Sequence, residues 1–194
     1  MVSFPNAKIN LGLNIISKRT DGYHNIESCL YPIPWHDVLE IIPANKFEFQ
    51  QSGLHIAGDQ TDNLCIRAYQ LLKNNFDIAP VKMHLHKVIP MGAGLGGGSA
   101  DGAFALKLLN QIFKLGLDSK ALQNYAAQLG SDCPFFIDNI PTIATGTGTD
   151  LKPIDLNLSA KYIVLVSSEI HVSTADAYKN VQPKKSVINL KQIL

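Results

Sequence analysis

Residues 90–102, PMGAGLGGGSADG, place glycine at positions 92, 94, 96, 97, 98 and 102 and run without a break into an apolar-periodic segment. Glycine loses more backbone freedom on folding than any other residue, so such a cluster needs a compensating use, most often close approach of bare main chain to a ligand. Downstream, Phe104, Leu108 and Ile112 with Ala105, Leu109 and Phe113 form a broad stripe opposite Lys107, Gln111 and Lys114, the pattern of an amphipathic helix. A helix start presents free N–H groups and a positive dipole end. A glycine loop feeding one therefore predicts an anion cradle, with Ser99 as the first helical residue.

Three kinds of phosphate loop compete for this stretch. A Walker A loop needs a lysine after its last glycine, and Gly97-Gly98-Ser99 has none. Gly92, Gly94 and Gly97 formally satisfy G-x-G-x-x-G, but a dinucleotide fold would continue into a buried strand ending in an acidic residue, whereas a second helix follows here, capped by Asp118. Protein-kinase signatures (V-A-I-K, H-R-D) are absent. The remaining reading lets backbone amides and the helix start hold the phosphates unaided.

Charge narrows the ligand class. The 194-residue chain carries a net charge of +1 with 46% hydrophobic residues and a mean hydropathy of +0.06, so no broad field favours a polyanion or a membrane surface. Nucleic acid is a poor candidate partner, no transmembrane run or signal peptide is visible, and small molecules are the expected partners. Three cysteines, Cys29, Cys65 and Cys133, form no C-x-x-C and suit a reducing cytosol, so a cytoplasmic protein is expected. His84 and His86 share one strand face, but without a Cys or carboxylate cluster they read as an exposed polar face.

Along the chain, AKINLGLNII alternates Ile9, Leu11, Leu13 and Ile15 with polar or small residues, predicting a half-buried strand with Lys8 and Asn10 on one face. RTDGYHN reads as a turn. ESCLYPI, DVLEIIP, KFEFQ and VKMHLHKVI read as strands, and NLCIRAYQLLKNNF as a helix capped by Asp62. SKALQNYAAQL is a second helix after Asp118, ended by Gly130. SDCPFFI reads as a turn and short strand, TGTGTDLKP as a hairpin, KYIVLVSSEI as a buried strand and TADAY as a helix start. Strands and helices in this mixed order favour an α+β fold, with helices packed on a mostly antiparallel sheet.

IPMGAGLGGGSADGAFAL resembles the ATP-binding loop of the GHMP kinase superfamily, the small-molecule kinases of homoserine, mevalonate, galactose and related substrates. NAKINLGLNIISKRTDGYHNIES, DNLCIRAYQLL and LGSDCPFFI extend the likeness from Lys8 to about Tyr178, and Lys8 with DGYH narrows it to the branch that phosphorylates a cytidine-diphosphate-linked polyol for isoprenoid precursors. The resemblance implies a ribosomal-protein-like two-layer N-terminal domain over 1–156 and the start of a second α+β domain over 157–194.

It also implies a site. ATP is the co-substrate and Mg2+ its partner, with Ser99 as candidate metal ligand. Pro90, Met91, Gly92, Ala93, Gly94, Leu95, Gly96, Gly97, Gly98, Ser99 and Ala100 would surround the triphosphate, and Asn63 and Leu64 the adenine. Asp132 is the implied general base, with Lys8 beside it to offset developing phosphate charge. Tyr23 and Tyr178 would stack on cytosine, His24 would bond its edge, and Asn10 and Thr174 complete the substrate side.

Two departures bear on these expectations. The second serine usual after Ser99 is Ala100, which removes a hydroxyl that could touch phosphate or metal. The second domain's own glycine-rich loop has no counterpart, so that domain is expected to be incomplete, with an exposed apolar sheet face and a tendency to self-associate. Nucleotide binding without turnover, or phosphorylation of another small alcohol, is the alternative at this stage.

Overall fold

The computed structural model describes residues 1–166, 181–184 and 190. In chain order these form β1 (Val2–Ser3), β2 (Asn6–Lys18), β3 (His24–His36), β4 (Val38–Pro43), β5 (Glu48–Gly53), α1 (Leu64–Phe76), β6 (Val81–Lys87), α2 (Gly97–Ile112), α3 (Ser119–Leu129), α4 (Phe135–Asp138), β7 (Thr142–Gly146) and β8 (Asp150–Pro153). One four-stranded sheet has the order β1-β4-β6-β5 and the other β2-β3-β7-β8. All pairings are antiparallel except β5 with β6, which α1 connects. The α+β expectation therefore holds.

Between β3 and β4 the chain crosses from one sheet to the other within a single residue. β3 ends at His36 and β4 begins at Val38, leaving Asp37 alone at the corner, completely buried. Leu39, Ile41, Val81, Met83 and Leu85 present the first sheet's apolar face to α1 and α2, whose Ala68, Tyr69, Leu72, Ala105, Leu106 and Leu109 complete the main core. This packing fixes where α2 starts, and so where the glycine loop must lie.

Several local expectations are corrected. The α1 cap is Asn63, whose side chain accepts the Cys65 N–H, while Asp62 ends a 3-10 turn that Asp59 caps. α2 begins at Gly97, two residues before Ser99, with Gly96 at its cap. SDCPFFI closes in the helical turn α4 and not in a strand; Pro134 has φ −58°, suited to a helix start, and Phe135, Phe136 and Ile137 are all buried, which one strand face could not achieve.

In β2 the alternation breaks at Gly12 (φ +76°), where the register shifts against β3; beyond it Leu13 is exposed. Residues 161–166 of KYIVLVSSEI take no strand form, and Tyr162, Val164 and Val166 are exposed; they have no ladder partner among the described residues. TADAY lies outside the described residues. Among those described, no helix is long and apolar enough to cross a membrane.

Candidate active site

The glycine loop is held against β2 by its main chain. Lys8 N–H donates to Leu95 C=O at 2.8 Å, in register just below the loop's tip. Gly96 sits at φ +69°, and a side chain there would begin 2.9 Å from Phe136 and 3.1 Å from Lys8 Cγ. Only glycine meets both demands. Residues 91–94 face solvent, and from Gly97 the chain turns inward as helix.

In α2 the first intrahelical bond received by the loop's end runs from Ala100 N–H to Gly96 C=O at 2.9 Å. The N–H groups of Gly97, Gly98 and Ser99 precede it and have no acceptor within the helix, which leaves three donors at the positive end of a 16-residue helix. Ala100 itself is fully buried in the main core. A hydroxyl at this position would be buried among the apolar groups of that core, and the Ala100 amide is already used within the helix.

Lys8 and Asp132, far apart in sequence, converge: Lys8 Nζ lies 3.5 Å from Asp132 Oδ2, the lysine side chain buried and the aspartate 41% exposed. Asp132 occupies the turn between α3 and α4, which Gly130 opens by letting Cys133 N–H reach its carbonyl. Lys8 Nζ also donates to Asn10 Oδ1 at 2.6 Å, and Asn10 Nδ2 donates to Ser28 Oγ at 2.7 Å, which in turn donates to Gly12 C=O. The lysine is thereby aimed by a polar chain along the β2–β3 ribbon, and one accessible carboxylate stands beside it.

Cys133 is buried next to this aspartate, and burial, more than any neighbour, pushes its thiol up to about 11.

At the other end of the ribbon, where Lys18 pairs with His24, Asp21 Oδ1 accepts the Tyr23 N–H and Arg19 N–H reaches the Tyr23 carbonyl. Tyr23 is 67% exposed on this preformed turn, and His24 is half-buried at the start of β3. Two register shifts, at Leu11/Leu13 and Ile15/Ser17, separate them from Lys8. Asn63 spends its side-chain oxygen on the α1 cap, and Leu64 packs under α2, where a side chain on Gly102 would begin 2.8 Å from its Cβ. Thr174 and Tyr178 lie outside the described residues.

The sequence reading missed a buried ionic cluster directly behind the loop. Lys87 Nζ donates to Asp37 Oδ2 and, at 2.9 Å, to Asp101 Oδ2. Burial raises the Asp101 carboxyl to about 7, against the pull of Lys87 and with a further push from Asp37. The signal was available: in VKMHLHK, Lys87 falls on the same phase as Val81, Met83 and Leu85, and Asp101 lies one helical turn before Ala105 on the buried stripe of α2. The His84 and His86 face is exposed as expected, both rings meeting Ser52 Oγ at 2.9 Å. Among the described residues no group of three or more His, Cys, Asp or Glu converges to hold a metal ion.

The family described as the GHMP kinases N terminal domain matches residues 63–146, which run from the cap of α1 through the glycine loop to the end of β7. The homoserine kinase of Cytophaga hutchinsonii shares the fold at 17% identity, with a TM-score of 0.62 over 99% of this chain and 62% of its own. The relative from Bacteroides fragilis strain YCH46, a 4-diphosphocytidyl-2-C-methyl-D-erythritol kinase, is 53% identical over 100% of this chain and 72% of its own length. Its counterpart in C. hutchinsonii is 53% identical over 94% of this chain and 68% of its own. A crystal structure of 4-(cytidine 5'-diphospho)-2C-methyl-D-erythritol kinase superposes with a TM-score of 0.71 at 35% identity, over 81% of this chain and 56% of that one. The chain belongs to this family of GHMP kinases, the 4-diphosphocytidyl-2-C-methyl-D-erythritol kinases.

Proposed function

We propose that the protein transfers the γ-phosphoryl group of ATP to a hydroxyl of 4-diphosphocytidyl-2-C-methyl-D-erythritol, giving the 2-phosphate and ADP. The observation that carries this reading is the Lys8–Asp132 pair, 3.5 Å apart, with Lys8 on the strand that the glycine loop is tied to and Asp132 reaching it from the turn between α3 and α4. Phosphoryl transfer asks little covalent chemistry of a protein and much positioning and charge stabilisation. The amides of Gly97, Gly98 and Ser99 serve the phosphates. Asp132 accepts the hydroxyl proton as the oxygen–phosphorus bond forms and the bond to the β-phosphate oxygen breaks, and Lys8 offsets the charge that develops between them.

Asn10 holds the end of the polyol against Lys8, while Tyr23 and His24 take the cytosine at the far turn of the ribbon. A bulged ribbon bends, so an extended diphosphate-linked substrate can follow it. Magnesium, when bound, neutralises β- and γ-phosphate oxygens. Ser99, in the first turn of α2, would be the protein residue nearest such an ion, whose remaining ligands would come from phosphate and water.

The test is ADP release in the presence of both substrates. Asp132→Asn and Lys8→Met are each expected to lower kcat about 10²–10⁴-fold, the range for losing a positioned acid–base or charge-stabilising group. Turnover unchanged by either substitution rejects the assignment.

A further inference from the structure

Both roots of the glycine loop are fastened to one buried ammonium. Lys87, the last residue of β6, bridges Asp37 at the corner between the sheets and Asp101 at the start of the second turn of α2, all three side chains being at most 3% exposed. Asp37 Oδ1 also accepts the N–H groups of Val88 and Ile89, at 2.5 and 2.8 Å, the two residues that lead from β6 to Pro90. The chain thus enters the loop pinned through Asp37 and leaves it pinned through Asp101.

Stability does not account for this cluster. Desolvating buried charges costs about as much as pairing them returns, and apolar side chains of similar volume often serve as well. One ammonium also faces two carboxyl groups, and Asp101 Oδ1 is buried with no hydrogen-bond partner among the described residues. What hydrogen-bonded charges add over a greasy plug is direction: Lys87 Nζ can satisfy both carboxylates only at one distance between the end of β6 and α2. Gly97 shows how tight that distance is, since a side chain there would begin 2.8 Å from Lys87 Nζ.

We infer that Lys87, bridging Asp37 and Asp101, is a positioning group that sets the pitch of the first turn of α2 and so aims the N–H groups of Gly97, Gly98 and Ser99 at the triphosphate. The inference rests on residues 90–100 being the nucleotide cradle.

Asp101 is the member to vary, because its loss leaves the Lys87–Asp37 pair neutral and intact. Asp101→Leu cuts the tie to α2 with a side chain of the same branched shape but larger volume. Asp101→Ser cuts it while leaving room for a water on Lys87, and serves if the leucine variant does not fold. Asp101→Asn keeps an oxygen for Lys87 and is the rescue. Calorimetry on the intact protein with magnesium and the ATP analogue AMPPNP, and separately with cytidine diphosphate, reads the two ends of the site. The leucine and serine variants are expected to bind AMPPNP about tenfold or more weakly, as small misplacements of a binding group do, with cytidine diphosphate affinity unchanged and the asparagine variant near wild type. A folded leucine or serine variant that binds AMPPNP like wild type, or one that loses both ligands equally, overturns the positioning role. Wild-type protein that binds no AMPPNP overturns the cradle itself, a distinct result.

Discussion

The Lys87 ammonium lies 2.8 Å from the point where a side chain on Gly97 would begin, and Ile89 Cγ2 lies 2.9 Å from the same point. In an open helix position alanine would stabilise by about 1 kcal/mol over glycine. Here the lysine tip cannot retreat without leaving Asp37 and Asp101. Gly97→Ala is therefore expected to destabilise by about 1–3 kcal/mol, the range for overpacking a filled interior. Gly98→Ala is the control: its nearest neighbour is the Met91 methyl at 3.3 Å, the free end of an exposed side chain, so it should be neutral or stabilising. Urea unfolding of the two variants should give opposite signs; a stabilised Gly97→Ala would show that the space behind the loop is not closed.

A pH dependence follows from the same cluster. The Asp101 carboxyl is raised from 3.8 to about 7 by burial, so between those values the folded protein holds a proton that the unfolded chain has released. Stability from this group is full below about pH 4 and is lost as pH rises through about 7, with a slope approaching 1.4 kcal/mol per pH unit for one proton. Other groups titrate in the same range. The measurement is therefore the difference between wild type and Asp101→Asn in urea midpoints from pH 4 to 8. The difference should shift in favour of the asparagine variant as pH rises; a flat difference would mean that Asp101 keeps an ordinary carboxyl.

The parts of this architecture that local pattern could reveal were those governed by period and by backbone chemistry. Alternation marked β2 from Ile9 to Gly12 and β6 throughout, and the apolar stripe marked α2, because burial there follows phase, whereas Lys8 is buried although it lies on the polar phase of β2. Where a neighbour from elsewhere decides, pattern failed. Leu13 is exposed because of a bulge at Gly12, a glycine that the alternation of its neighbours masked, and the α4 turn forms because three large side chains have to be buried at once.

The site divides the same way. Lys8 and Asp132 could be paired only through the likeness of their motifs to a family, since 124 positions separate them and neither has a distinctive spacing. Asp37, Lys87 and Asp101 went unread because each in isolation is an ordinary turn, strand or helix residue. Their meaning lies in meeting behind the loop.

Cys133 should be chemically silent in the folded protein. Its thiol is buried and pushed up to about 11, so the reactive thiolate is scarce at neutral pH, and Cys29 and Cys65 are also buried with raised thiols. Alkylation with iodoacetamide at pH 8 should follow global unfolding for all three, accelerating across the urea transition and not before it. Fast native-state labelling of Cys133 would mean that the turn carrying Asp132 opens independently of the core.

Tyr23 offers the cleanest separation of binding from folding. The residue is 67% exposed on a turn whose shape is set by Asp21 and Arg19, the Arg19 guanidinium holding the Asp21 carboxyl below its usual range, and among the described residues its ring belongs to no core cluster. Tyr23→Ala should therefore leave the unfolding midpoint within about 0.5 kcal/mol of wild type, as substitutions at exposed sites do. If the ring stacks on cytosine, its loss should cost about 1–3 kcal/mol of binding, or roughly ten- to hundredfold in KM for the cytidylated substrate, with KM for ATP unchanged. Tyr23→Phe keeps the stacking face and should restore most of that loss. Equal KM values in wild type and Tyr23→Ala would remove the ribbon turn from the substrate site and leave Lys8, Asn10 and Asp132 to hold the substrate without it.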